Sequence, residues 1–327
     1  MKTRTTIETP SSDIKISHDD HILTIGSCFA DRIGNKLQSL KYLGSFNPFG
    51  ILYNPVSILK TLQSTALDKP PDPKHFCMLD GVEVHYDYHS DLYAITKEAY
   101  VKLISQKQVA TQEQINIAHS AIITLGSAFV FNYKETGHVI ANCHKQDAKK
   151  FDRRILAYEE CKECLFHLIE RLLTANPTIQ IILTVSPVRH VRDTLIGNSR
   201  SKATLLNAVH HVIDQYDSCI YFPAYEIMID DLRDYRYYEN DMLHPTDKAF
   251  DYIWELFEEG FITSTAKNLN KKIDKTLRAV QHRPFRKGSA SYQAFVQNTL
   301  EKIHAIEKDY PSLDWSEEKK LLSVKQS

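Results

Sequence analysis

The chain is 327 residues long, with 43% hydrophobic and 25% charged residues, enough apolar material for a sizeable core. Its formal net charge of -1 argues against the concentrated basic face of a nucleic-acid-binding protein. No apolar run nears the ~20 residues that span a bilayer, and the polar stretch from Met1 to His21 lacks the apolar centre of a secretory signal, so a cytoplasmic protein with no membrane or nucleic-acid partner is expected.

In chain order, His21–Ile25 is a short β-rich run ending at Gly26. Residues 28–40 carry Phe29, Ile33, Leu37 and Leu40 at helical spacing, which places Ser27 on a strand-to-helix turn. Residues 46–55, with two prolines and a glycine, predict a long loop, and Asn54-Pro55 opens a helix over about 55–65. Asp80-Gly81 predicts a hairpin within the His- and Tyr-rich segment 75–95. A buried strand over 119–126 follows, then a second hairpin, 129–133 with 138–141, around Gly137. Beyond it come a helix over about 156–174, a strand over 179–185, a polar loop over 189–200, a helix over 201–216 and a strand over 218–222. A short helix around 224–232, a Tyr- and Asp-rich loop and a helix over about 246–260 complete the alternation. Strands alternating with helices predict an α/β fold, a parallel sheet covered on both faces as a three-layer sandwich. After residue 261 the chain is polar and lysine-rich and reads as two or three helices interrupted at Pro284 and Pro311. The expected division is therefore 1–260 as the catalytic domain and 261–327 as a helical extension.

A serine after the first strand of such a sheet lies where ligands bind, beyond the strands' carboxyl ends. The first amides of the next helix are there to stabilise an anion. The competing role for Ser27 is a plain helix cap. Far down the chain, Asp241-Met242-Leu243-His244-Pro245 places an acid three residues before a histidine. Serine is a weak nucleophile that needs a nearby base, and that base needs an orienting partner.

Together these features resemble the SGNH (GDSL-like) hydrolase superfamily. Within it, Gly26-Ser27-Cys28-Phe29-Ala30 resembles the GSCFA-domain family, as do residues 47–55, Asn142-Cys143-His144-Lys145, residues 184–190, Ser199-Arg200-Ser201-Lys202-Ala203 and Asp241–Pro245. The resemblance covers roughly residues 20–260. It implies an esterase or acyl hydrolase without a cofactor or metal, acting on a small-molecule or saccharide ester, with Ser27 as nucleophile, His244 as base and Asp241 as orienting acid. It also implies oxyanion donors from the Ser27 and Gly50 amides. The superfamily's Gly-x-Asn-Asp block has no match at Gly126-Ser127-Ala128, so Asn142, Asn47 and the Ser127 amide are the candidates for a further donor. Asn47, Tyr53, Ser127, His144, Arg189 and His190 are the expected substrate contacts, with Arg200 and Lys202 in the same polar loop and Tyr235, Tyr237 and Tyr238 flanking the Asp-His loop.

Cys28 reads as a small residue packing on the sheet, with a thiol nucleophile as the rival role. Cys161 and Cys164, with His167, lack a second ligand pair in sequence and argue against a metal site. Two other readings share the same residues: an acyltransferase, and a binding module that retains the fold without catalysis.

Overall fold

The computed structural model describes residues 5–8, 12–282 and 289–326. Its centre is a five-stranded, all-parallel sheet: β1 (His21–Gly26), β2 (Leu43–Phe46), β5 (Ser120–Leu125), β9 (Gln180–Val185) and β10 (Cys219–Phe222), in spatial order β2-β1-β5-β9-β10. Two excursions leave it. One is the hairpin β3 (Phe76–Leu79) and β4 (Val82–His85), and the other is a small antiparallel sheet of β6 (Phe129–Tyr133), β7 (Val139–Ile140) and β8 (Phe151–Ile155). Asp80 and Gly81, with φ of 49° and 85°, make the tight turn of the first hairpin.

Helices cover both faces of the main sheet: α1 (Cys28–Ser39), α2 (Pro55–Ala66), α3 (Lys97–Ile117), α4 (Tyr158–Ala175), α5 (Thr194–Ile213), the short α6 (Ala224–Glu226) and α7 (Asp247–Phe261). One core unites Phe29 and Ile33 of α1 with Phe250 and Phe257 of α7, and the other unites Ile58, Ile104, Leu165 and Leu205 of α2 to α5. Strands β1, β5, β9 and β10 feed both cores by alternation, as Ile22 against one and Leu23 against the other. The C-terminal helices α8 (Ser264–Gln281), α9 (Ala290–Asp309) and α10 (Ser316–Gln326) extend the first core through Ile273, Val296, Ile303 and Trp315. Pro311 lies in the break between α9 and α10, whereas Pro284 lies outside the described residues. No described helix is long and apolar enough to cross a membrane.

Four elements depart from the sequence expectation, one of them strand β8, which was not foreseen. Helix α3 was not foreseen, because its buried positions Tyr100, Ile104, Gln108, Thr111 and Ile115 include two polar residues that break the apolar stripe. Strand β2, which is short, half-buried and contains Gly44, was not foreseen. Helix α5 begins at Thr194, and residues 194–200 are therefore helical instead of loop.

The strand order matters for function. From β1 the chain crosses through α1 to β2 on one side, and later returns to β5 on the other side of β1. The order reverses at β1 and β5, and a ligand crevice opens beyond the carboxyl ends at such a point.

Candidate active site

Strand β1 ends at that crevice in a backbone shape reserved for glycine. Gly26 has φ +141°, and a Cβ there would sit 2.1 Å from the Thr124 carbonyl oxygen. This close approach presses Ser27 against β5. The Ser27 amide donates to the Thr124 carbonyl (3.0 Å) and hydroxyl (3.0 Å), and the two hydroxyls are 2.9 Å apart. Ser27 also caps α1 by accepting from the Phe29 amide at 3.3 Å. Its residual exposure is 1%.

The next residue faces differently. Cys28, at the first helical position, lines a cavity of ≈ 410 Å³ whose walls include Tyr53, Ser127, Arg189, His190, Leu243 and His244. Ser27 is absent from those walls. Ser27 thus acts as the cap of α1, its side chain folded back over the helix, while Cys28 projects toward the cavity. Burial pushes the Cys28 thiol above its ordinary pKa, Lys202 pulls it down, Asp31 raises it, and the Cys28 and Phe29 amides oppose that rise.

The acid and base come together as the sequence predicts. Asp241 accepts from the Leu243 and His244 amides (2.8 and 3.0 Å), and its other oxygen lies 2.6 Å from His244 Nδ1. Met242, with φ 60°, makes the turn that lets an acid and a base three residues apart meet. The His244 amide, then its ring, then the Leu243 amide hold the Asp241 carboxyl down at about 2, so it is a carboxylate at neutral pH. With Nδ1 facing that carboxylate, Nε2 is left to take a proton. Neither Ser27 nor Cys28 is hydrogen-bonded to His244, whose side chain is 50% exposed.

Most of the expected oxyanion donors are already committed. The Ser27 amide belongs to Thr124. The Gly50 amide donates to the Asn47 carbonyl at 2.8 Å, and the Ser127 amide to the Tyr53 carbonyl at 3.0 Å. Asn142 braces a loop, accepting from the His144 amide (2.8 Å) and donating to Ser90 (3.3 Å). Asn47 is a lock on the nucleophile turn: it accepts from the Gly26 amide at 3.0 Å and donates to Asp31. His144 is buried with both ring nitrogens occupied, by Ser90 Oγ and the His85 carbonyl. A committed donor would have to break an existing bond to serve an anion.

Two groups are left as candidate donors. The Cys28 amide stands at the first position of α1, the positive end of the helix. His190 lines the cavity, and its Nε2 is buried without a partner. Burial, then Lys202, lowers the His190 pKa to about 4, so its ring is neutral and carries one donor. Arg189 also lines the cavity but donates to the Tyr238 hydroxyl at 2.7 Å, with its guanidinium 4.1 Å from that ring's centroid.

Lys202 is the residue that sequence reasoning misread. It lies in α5, 1% exposed, on the same buried face as Leu205 and Val209. A lysine in an apolar stripe was the available signal. Its ammonium donates to the carbonyls of Gly126 (2.7 Å) and Ser186 (2.6 Å), joining the carboxyl ends of β5 and β9 behind the nucleophile turn. It has no carboxylate partner among the described residues, and burial lowers its pKa to about 7.

A second recess of ≈ 380 Å³ adjoins the first, sharing Tyr53, Phe131 and Arg192. Asn142 and Lys145 also line it. Away from both, His75, His85 and Asp87 converge closely enough to hold an ion. Lys60 already neutralises Asp87 at 2.7 Å, and the Asp87 amide already donates to His85 Nδ1, so their electron pairs serve the fold.

In comparison with known proteins, the GSCFA family model matches residues 21–257, and that of the GSCFA domain protein, C-terminal domain, matches residues 273–325. No curated protein matches the chain in sequence. Among solved structures it is similar to a carbohydrate esterase family 3 from Talaromyces cellulolyticus, with 8% identity, 78% of this chain and 99% of that one covered, and a TM-score of 0.35. It is also similar to a Clostridium thermocellum family 3 carbohydrate esterase, with 11% identity, coverage of 73% and 94%, and a TM-score of 0.32. At that level of similarity neither carries its chemistry over to this chain.

Proposed function

The chain belongs to the GSCFA family, and we propose that it is an esterase-type acyl hydrolase in which Cys28 is the nucleophile, His244 the base and Asp241 the acid that orients His244. One observation carries this reading: Cys28 and His244 wall the same cavity, while the Ser27 hydroxyl is buried against Thr124. The five-stranded parallel sheet, with the site at its switch point, supports placing the family among SGNH-type hydrolases. Of residues 261–327, the described helices α8 to α10 then thicken one helical layer, and none of their described residues supplies a catalytic group in this reading.

In the proposed reaction, His244 Nε2 takes the thiol proton as the Cys28 sulfur bonds to the acyl carbon. A base is required because burial keeps the thiol protonated. The negative charge on the carbonyl oxygen falls to the Cys28 amide and to His190, with the Lys202 ammonium behind them. Collapse expels the alkoxide, which receives the proton from His244, and leaves a thioester on Cys28. Water, deprotonated by His244, then releases the acid and restores the thiol. Another hydroxyl in place of water turns the same cycle into acyl transfer.

The test compares Cys28→Ala, Ser27→Ala and His244→Ala on 4-nitrophenyl acetate, together with thiol labelling by iodoacetamide. Loss of turnover in Cys28→Ala and His244→Ala is expected, by on the order of 10³ or more. Ser27→Ala should keep most of its turnover and lose about 1 kcal/mol of stability as a missing cap. Turnover that survives Cys28→Ala and vanishes in Ser27→Ala would return the nucleophile to the serine. No turnover in any folded form would favour a binding module.

A further inference from the structure

The two recesses adjoin at Tyr53, Phe131 and Arg192, and the charge of their combined lining is lopsided. Four cationic side chains, Lys145, Arg153, Arg189 and Arg192, line them against one carboxylate, Asp193, in a chain whose formal net charge is -1. A concave site lined by one sign of charge focuses the field on an oppositely charged ligand. Two of the four cations are occupied: Arg153 is paired with Asp193, and Arg189 donates to Tyr238. Arg192 and Lys145 have neither an acidic partner nor a hydrogen-bond acceptor among the described residues, and both border the second recess.

Each is presented by a built feature. The Arg192 guanidinium carbon lies 5.0 Å from the centroid of Phe131, on the wall common to both recesses. Lying over an aromatic ring leaves the guanidinium's N–H donors free for a planar or tetrahedral oxyanion. Lys145 follows His144 in a turn where both residues have left-handed backbone, with φ of 56° and 48°. Two consecutive non-glycine residues in that region are strained and persist only when the surroundings impose them. Here the surroundings are explicit: buried His144 is bonded at both ring nitrogens, and Asn142 accepts from its amide. A costly turn thus places the Lys145 ammonium on the recess that Arg192 also lines, and that recess adjoins the cavity of Cys28.

We propose that the second recess is a subsite for an anionic group of the substrate, a carboxylate or phosphate oxyanion held by Arg192 and Lys145. Its place in catalysis rests on the acyl-transfer reading, whereas the binding itself does not. The substrate class is accordingly an ester that carries a negative charge on the part lying toward Lys145. The expected saccharide ester is thereby narrowed to one bearing such a charge.

The experiment is calorimetric titration of the full chain at low salt with phenyl phosphate, benzoate and, as the uncharged control, phenol. The same titrations are run on an Arg192→Gln/Lys145→Gln double variant. Both side chains are exposed, so the variant should fold. At least one anion is expected to bind more tightly than phenol, and the double variant to weaken it tenfold or more. The tighter of the two anions identifies carboxylate or phosphate as the natural group. Equal binding of phenol and both anions, or undiminished anion binding by the double variant, overturns the proposal. Because no turnover is read, such a failure leaves the Cys28 assignment standing. Conversely, anion binding that persists where Cys28→Ala has no effect on turnover would retire the nucleophile and keep the subsite.

Discussion

Replacing Lys202 by methionine should change how stability depends on pH in a direction the structure fixes. The ammonium is 1% exposed, donates to two backbone carbonyls and lies 5.7 Å from the Tyr225 ring centroid, and burial lowers its pKa from 10.5 to about 7. Between those two values the unfolded chain holds a proton that the folded chain has released. Stability therefore rises with pH across this window, and it falls as the pH drops back towards 7. At about 1.4 kcal/mol per pH unit for a full proton of difference, the wild type should gain roughly 2 kcal/mol on Lys202→Met between about pH 7 and about pH 9. At neutral pH the absolute difference is less informative. The variant removes a donor from two buried carbonyls, at about 1–3 kcal/mol each, but it also removes the cost of burying an ammonium, which is several kcal/mol. The slope separates these opposed effects. Urea unfolding of both proteins over that range measures it, and other titrating groups cancel in the difference. Parallel stability curves would show that Lys202 does not titrate in this window and would refute the reasoning.

Acid should unfold the protein through its buried histidines. Burial lowers His85 and His190 to about 4 from an ordinary 6.5, so the folded chain resists protons that the unfolded chain takes up. Stability should fall between about pH 6.5 and pH 4, and His85→Gln should flatten that limb in urea titrations. Asp241→Asn should lower kcat on the order of 10²–10⁴ by loosening His244, with little change in far-UV circular dichroism. Since the Asp241 carboxyl is held at about 2, the acid limb of the wild-type rate profile should not follow its titration. Gly50→Ala should destabilise by about 1–3 kcal/mol, because Gly50 has φ +71° and the new Cβ would lie 2.4 Å from His89 Cβ. Unchanged thermal unfolding of that variant would contradict the packing described.

The alternation of strands and helices, the turn after β1 and the Asp241–His244 pair were all legible in the sequence. Each rests on local spacing: apolar periodicity in the first case, and three residues around one turn in the last. Helix α3 was hidden for a physical reason, since Gln108 and Thr111 are buried on its core face and interrupt the pattern. The loop assigned to 189–200 failed at Thr194, because Leu195 and Ile196 of the first helical turn are exposed instead of packed and Gly197, Asn198 and Ser199 look like loop residues.

The roles of adjacent residues lay beyond that reach. Sequence alone determined that Gly26-Ser27-Cys28 forms a strand-to-helix turn and that Asp241 reaches His244 around one turn far down the chain. Only the tertiary structure decided which of the two neighbours faces the cleft. Thr124, nearly a hundred residues away, takes the Ser27 hydroxyl, and Cys28 is left on the cavity wall. It likewise decided that Lys202 is buried behind the site, while Arg192 and Lys145 stand unpaired within it. Spacing along the chain sets which residues can share a turn or a face. Burial and hydrogen-bond partners come from strands and helices distant in sequence, and they decide which of those residues is free to act.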